Sequence, residues 1–133
     1  MDSPKPVFWI GSSRKDLRRF PKLVRQTVGQ ALFDAQTGGT HPDAKPLKGF
    51  QGAGVLEVVE SHDGSTYRAV YTIQFAGVVY VLHAFQKKSK RSIQTPREEM
   101  DVVKSRLKVA EKHHEGWTQE SKADEGRGRP RES

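Results

Sequence analysis

Residues 76–98 read AGVVYVLHAFQKKSKRSIQTPRE. The first half is an apolar run rich in β-branched and aromatic side chains, which is typical of a buried β-strand. The second half has no acidic residue before Glu98, and it carries a histidine, an aromatic residue and five cations: His83, Phe85, Lys87, Lys88, Lys90, Arg91 and Arg97. A strand that brings these groups to one edge of a small domain predicts a surface that meets phosphate.

Two further strand-like runs precede this one, so that strands are predicted over residues 55–60, 66–75 and 78–86. Asp63-Gly64 lies between the first two, and this dipeptide suits a type I′ turn, in which both central residues need positive φ. Ala76-Gly77 is a weaker turn signal between the second and third runs. We therefore expect a three-stranded antiparallel meander.

The faces of this meander follow if both turns have two residues, because side chains alternate along a strand. Three pairs of residues then lie opposite one another: Tyr71 and Leu82, Val70 and His83, and Arg68 and Phe85. One face is apolar and is predicted to lie under helices: Leu56, Val58, Ala69, Tyr71, Ile73, Phe75, Val78, Tyr80, Leu82 and Ala84. The other is mixed and is either an ordinary solvated face or a site: Glu57, Arg68, Val70, Thr72, Gln74, His83, Phe85 and Lys87.

Helices are predicted before and after the meander along the chain. A short strand over 7–10 leads through Gly11-Ser12-Ser13 into a basic helix with Ser13 and Asp16 at capping-box spacing. Pro21 ends that helix and starts a second one, which Gly38-Gly39 stops. Residues 40–54 are predicted to be a loop without a regular element. Thr95-Pro96-Arg97-Glu98 starts a terminal helix that reaches about residue 113.

The length of 133 residues and the hydrophobic fraction of 34% allow one modest core. We expect an α+β domain over residues 1–117, of element order β-α-α-β-β-β-α, with a helical hairpin packed on one sheet face and a C-terminal helix. Residues 118–133 have almost no apolar side chain and are predicted to be a disordered polar tail. No apolar stretch is long enough for a membrane span and no signal peptide is recognised, so a cytoplasmic protein without membrane contact is expected.

Several kinds of chemistry are excluded by composition. The chain has no cysteine, which removes disulfides and thiolate ligands. We expect no metal site and no cofactor, because His113 and His114 are adjacent and no other ligand spacing occurs. No Walker-type phosphate loop is present.

The net charge of +7 and its clustering imply an acidic partner, either nucleic acid or an acidic protein, beside the simpler alternative of a merely soluble basic protein. Besides the run after residue 83, residues 14–25 hold six cations and one acid. Cations and one histidine can cleave RNA without a cofactor, since the RNA 2′-hydroxyl is the nucleophile. Arg68 suits the charge of the phosphorane, and His83 suits proton transfer.

Lys48, Lys87 and Lys88 suit phosphate contacts, and Phe85 suits stacking on a base. Each candidate has a structural alternative. Arg68 can pair with Glu57 across the strands, His83 can be a hydrogen-bonded residue at the strand end, Phe85 can belong to the core, and the lysines can be a solvated edge.

The order of elements and several stretches closely resemble the RelE/ParE toxin superfamily, in its phage-derived HigB-like branch. These stretches are FWIGSSRKDLRRFPKLV, ALFDAQTGG, AKPLKGFQGAGVLEV, YRAVYTI and VVYVLHAFQKKSKRSIQTPREEM, and together they span about residues 7–112. The run VLHAFQKKSKRSIQTP is specific to that branch, whereas the other stretches are individually weak.

The resemblance implies the toxin of a type II toxin-antitoxin module, a metal-independent endoribonuclease that cuts mRNA, usually on the ribosome. It implies as partners an antitoxin, expected to be of helix-turn-helix type, together with mRNA, the ribosome and operator DNA reached through the antitoxin. By motif position, phosphate-binding and catalytic groups fall on Lys48, Arg68, His83, Lys87 and Lys88, with Lys90 and Arg91 on the rim. Which residue is the general base stays open. Two other functions also remain: a toxin that poisons DNA gyrase, and a noncatalytic basic interaction module.

Overall fold

The computed structural model describes residues 3–50, 52, 54–87 and 95–126. It has the predicted α+β class, with one additional short strand, β2. The elements are β1 (Val7–Trp9), α1 (Ser13–Arg18), α2 (Lys22–Gln36), β2 (Ala44–Pro46), β3 (Val55–His62), β4 (Ser65–Thr72), β5 (Val79–Lys87) and α3 (Arg97–Gly126).

The five strands form one sheet of order β1-β5-β4-β3-β2. β1 runs parallel to β5, and the other neighbours are antiparallel. β2 lies within the segment 40–54 that was predicted to have no regular element, and that prediction is wrong for residues 44–46. The strand has three residues and ends in Pro46, which is tolerated because β2 is an edge strand.

The predicted hairpin between β3 and β4 is confirmed. His62 pairs with Ser65, and the two turn residues between them have φ values of 48° at Asp63 and 80° at Gly64. The β4 to β5 connection differs from its prediction. β4 ends at Thr72 and β5 begins at Val79, so the connection is longer than the two residues expected from Ala76-Gly77.

A β-bulge divides the β4–β5 ladder. Arg68 lies opposite Phe85 and Val70 lies opposite His83, as predicted, but Tyr71 lies opposite Val81 and not opposite Leu82. Leu82 is the extra residue, and an extra residue reverses the alternation of the side chains beyond it. Three residues predicted to lie under the helical hairpin, Val78, Tyr80 and Leu82, therefore pack on the opposite side of the sheet. Phe75, in the connection between β4 and β5, packs there as well.

Helices cover both faces of the sheet. The α1–α2 hairpin packs on one face through Leu17, Phe20, Val24, Val28 and Leu32 against a strand set that includes Leu56, Val58, Ala69, Tyr71 and Ala84. α3 covers the other face, where Val103 and Ala110 are fully buried. The face predicted to be mixed and polar thus lies largely beneath a helix.

Two hydroxyl side chains that were predicted to cap helices, those of Ser13 and Thr95, donate hydrogen bonds to strands instead. α1 starts after Ser12, and the Ser13 hydroxyl donates to the Val81 carbonyl (3.1 Å), which fastens the helix to β5. The Ser12 hydroxyl donates to Asp16 (2.7 Å). The Thr95 hydroxyl donates to Glu57 (2.8 Å) and so joins the start of α3 to β3.

α3 continues to Gly126, so residues 118–126, which were predicted to be part of a disordered tail, extend the helix. Most of these residues are good helix formers, and a packed helix propagates into such a segment. Residues 127–133 lie outside the described residues. Among the helices that the structure describes, none is long and apolar enough to cross a membrane.

Candidate functional site

An open groove of about 1180 Å³ lies between the β2 segment, strands β3 and β4, and the start of α3. Seven charged or hydrogen-bonding residues are among those that line it: Asp43, Lys45, Lys48, Glu57, Glu60, Arg68 and Thr95. The groove joins two predicted site residues, Arg68 and Lys48, on one surface. His83, Phe85 and Lys87 are not among its lining residues.

Arg68 is held firmly at the wall of this groove. Its side chain is only 2% exposed, and Nη1 donates to Glu57 Oε2 (3.2 Å) and to Thr95 Oγ1 (3.2 Å). Because Thr95 also donates to the same Glu57 oxygen, the three side chains form a closed triangle. The cross-strand ion pair expected as an alternative role for Arg68 is therefore present.

The turn before β3 positions Lys48. The Leu47 amide donates to the Val55 carbonyl (2.9 Å), and Leu47 is buried while Lys48 is exposed. Gly49 adopts φ 97°, and a Cβ there would lie 3.0 Å from the Met100 side chain on α3. The turn therefore lies close to α3, and the exposed residue Lys48 lines the groove.

His83 belongs to a different network, beneath α3. Its Nε2 lies 2.7 Å from Glu99 Oε1, and its Nδ1 lies 3.3 Å from Arg106 Nη1. A guanidinium can only donate, so Nδ1 accepts and the ring proton is on Nε2, where it is donated to Glu99. Arg106 also donates to the Leu82 carbonyl (3.0 Å) and to Ser12 Oγ (3.1 Å), which links the bulge to α1.

The remaining predicted binding residues divide into buried, peripheral and undescribed positions. Phe85 is 8% exposed and stacks on the His83 ring at 4.9 Å, so it packs in the core, which was the alternative to base stacking. Lys87 is half-buried at the end of β5, opposite Thr66. Lys88, Lys90 and Arg91 lie outside the described residues.

The groove is electrostatically mixed. Three cations, Lys45, Lys48 and Arg68, face three carboxylates, Asp43, Glu57 and Glu60. Partial burial raises the pKa of Glu60. A hydrogen bond that protonated Glu60 donates to Asp43, and repulsion by the Asp43 carboxylate, raise this pKa further. The carboxyl groups of Glu60 and Asp43 therefore lie close together in the same groove as Arg68.

Sequence reasoning missed three residues that organise these networks: Thr95, Glu99 and Arg106. Thr95 was interpreted as a helix cap. Glu99, Val103 and Arg106 follow helical spacing, and Val103 is fully buried, so the stripe itself was a signal that Glu99 and Arg106 face the sheet. No cluster of His, Cys, Asp and Glu suited to a metal occurs among the described residues.

Comparison with known proteins gives one family and two solved structures of interest. The free-state structure of a double mutant of the Escherichia coli toxin RelE aligns with 18% identity over 80% of this chain and 98% of that one, with a TM-score of 0.49. The RelBE2 toxin-antitoxin complex of Mycobacterium tuberculosis aligns with 23% identity over 67% of this chain and 98% of the other, with a TM-score of 0.41. A search of curated proteins finds no match.

The family model of phage-derived Gp49-like proteins matches residues 15–108. This segment includes α1 from residue 15 onward, all of α2, strands β2 to β5, and the part of α3 that carries Glu99 and Arg106. Because the match covers well over half of the sequence, the chain belongs to the phage-derived Gp49-like protein family.

Proposed function

We propose that this protein is the toxin of a type II toxin-antitoxin module. In this proposal it is a metal-independent endoribonuclease that cleaves ribosome-bound mRNA. The observation that carries the proposal is the placement of Arg68 and Lys48 on one groove, in a chain whose motifs resemble RelE/ParE toxins. Membership of a phage-derived family supports the same assignment. The expected partners are a helix-turn-helix antitoxin, mRNA and the ribosome, with operator DNA reached through the antitoxin.

In the proposed reaction the RNA 2′-hydroxyl attacks the adjacent phosphorus and the 5′-oxygen leaves, which gives a 2′,3′-cyclic phosphate and a 5′-hydroxyl. Arg68 supplies fixed positive charge beside the phosphorane, and its burial strengthens that effect. Its bonds to Glu57 and Thr95 fix the orientation of the guanidinium before substrate binds. Lys48, exposed at the groove, contacts a phosphate or transfers a proton.

His83 enters this scheme under one condition. Nε2 is occupied by Glu99, so proton transfer to RNA requires that this bond opens. Arg106 keeps the Nδ1 side of the ring in place meanwhile. The carboxyl pair of Glu60 and Asp43 lies in the groove already, and its raised pKa makes Glu60 a second candidate for the proton-transfer group.

Induced expression tests the proposal. We expect growth arrest, with translated transcripts cut at codon-related positions when their ends are mapped by primer extension. Arg68→Ala should abolish the cuts, while Lys104→Ala, on the exposed surface of α3, should not change them. Intact transcripts during arrest would refute RNA cleavage.

The burial of His83 beneath α3, away from the lining of the groove, favours a second candidate function, poisoning of DNA gyrase, which requires no catalytic group. A chain in which Arg68→Ala and His83→Ala are combined should then remain toxic, provided that it folds. Loss of both toxicity and RNA cuts in this folded double variant would rule out gyrase poisoning and support the endoribonuclease function.

A further inference from the structure

Among the residues that the structure describes, a dense cluster of cations lies outside the groove, on α1 and the first turns of α2. Residues 14–25 contain six cations, Arg14, Lys15, Arg18, Arg19, Lys22 and Arg25, and a single acid, Asp16. All six cations are exposed. We call these six residues the α1 basic face.

The α1 basic face is not neutralised within the described part of the chain. No ion pair there involves any of its six cations. Asp16 accepts a hydrogen bond from Ser12, and the Arg25 Nε donates to the Phe20 carbonyl (3.0 Å). The groove differs, because its three cations face three carboxylates. Within the described part of the chain, the α1 basic face therefore attracts a polyanion more strongly than the groove does.

This face is also on the other side of the sheet from the groove. Leu17 and Phe20 anchor α1 in the core beneath the helical hairpin. Leu47, from the turn that carries Lys48, belongs to the core beneath α3. The α1 basic face is thus a separate surface and not an extension of the candidate active site.

The composition of the face favours a phosphate backbone over an acidic protein. Protein interfaces have an apolar centre, whereas contacts to a phosphate backbone need only donors and charge. Leu17 and Phe20, the large apolar residues of α1 and its exit, are buried, and Leu23 at the start of α2 is the one large apolar side chain of residues 14–25 that is exposed (65%). A single exposed leucine among six cations is less than the apolar centre of a protein interface. Four of the six cations are arginines, whose planar fork matches phosphate oxygens.

We propose that the α1 basic face docks the phosphate backbone of RNA, without sequence preference, at a surface distinct from the groove. The choice of RNA over DNA rests on the proposed function. The existence of the surface rests only on the exposure and clustering of its cations. Arg14 and Arg18, and likewise Lys15 and Arg19, are four residues apart, so on a helix they form adjacent rows of charge.

The test uses the full chain and a short RNA duplex with 2′-O-methyl groups, which has no nucleophile and cannot be cleaved, so failure of the proposed nuclease activity does not affect the result. Binding is measured by fluorescence anisotropy over a range of salt concentrations. The test variant combines Arg14→Ala, Lys15→Ala and Arg18→Ala. The control combines Lys104→Ala, Lys108→Ala and Lys112→Ala, which removes the same charge from exposed positions on α3.

We expect the α1 variant to bind about tenfold or more weakly and to show a salt slope that is shallower by about 3, one unit for each lost phosphate contact. The α3 control should bind like the parent. Circular dichroism should show both variants folded, since every substituted side chain is exposed.

Three results would overturn the proposal. Parent-like binding by the α1 variant would show that this face makes no contact, and equal weakening by both variants would show an effect of net charge alone. A DNA duplex that binds as tightly as the RNA, with the same dependence on α1, would refute the assignment to RNA.

Discussion

Replacing Glu57 with glutamine should destabilise the fold strongly, because the Arg68 guanidinium would lose the carboxylate that compensates its burial. The Arg68 side chain is 2% exposed and the Glu57 side chain 14%, so the pair is largely removed from water. Breaking such a pair by removing one partner costs about 3–5 kcal/mol. Glutamine keeps an oxygen that can accept from Arg68 and Thr95, and we therefore expect a loss of about 2–3 kcal/mol.

Urea unfolding followed by circular dichroism measures this loss. A domain of this size is typically stable by about 5–15 kcal/mol, so the expected loss shifts the midpoint by about 1–2 M urea at unchanged slope. The matched control is Asp63→Asn, the same carboxylate-to-amide change at a residue whose side chain is 93% exposed and lies 3.6 Å from His62. Because surface pairs contribute little, the control should stay within about 0.5 kcal/mol of the parent. A Glu57→Gln protein equally close to the parent would refute the argument that Arg68 depends on its carboxylate.

Three other substitutions test separate parts of the structure. Tyr71→Phe removes a fully buried hydroxyl that has no hydrogen-bond partner among the described residues, so thermal unfolding should show unchanged or higher stability, by up to about 1 kcal/mol, and a clear loss would contradict this. The raised pKa of Glu60 means that the folded state keeps the Glu60 proton to higher pH than the unfolded chain, so stability falls as the pH rises above 4.5. Glu60→Gln should therefore melt above the parent at pH 7 but not at pH 4, and the opposite order would contradict a pKa raised by burial and by Asp43. Gly11→Ala should cost about 1–3 kcal/mol in chemical denaturation, because φ is 58° and the new Cβ would lie 2.7 Å from the Arg106 side chain. Gly29→Ala, in open space on α2, should instead stabilise the fold by about 0.5–1 kcal/mol, and equal effects of the two substitutions would refute the steric argument.

Local patterns in the sequence were sufficient for much of the fold. The Asp63-Gly64 turn fixed the β3–β4 register, and helix signals placed the hairpin and the start of α3. The bulge at Leu82 was not predictable, because period-two alternation assumes an uninterrupted ladder and nothing in an apolar run marks an extra residue. β2 was missed since three residues ending in proline have no strand pattern of their own and depend on β3.

The candidate site was only partly predictable for a related reason. Alternation placed Arg68, His83 and Phe85 on one face, and the structure has all three on the α3 side of the sheet. Sequence periodicity does not show what covers a face, and α3 separates His83 from the groove that holds Arg68 and Lys48. The bonds of Thr95 and Arg106 connect positions 38 and 94 residues apart, which no local pattern reports.

Cleavage of a translated mRNA by the purified protein is the most direct test of the proposed endoribonuclease activity. A chelator is added so that only the divalent metal that ribosomes require remains. We expect cuts that leave 2′,3′-cyclic phosphate and 5′-hydroxyl ends and that disappear with Arg68→Ala but persist with Lys104→Ala. Uncut mRNA with the folded parent protein, or equal cutting by Arg68→Ala, would contradict the proposed activity.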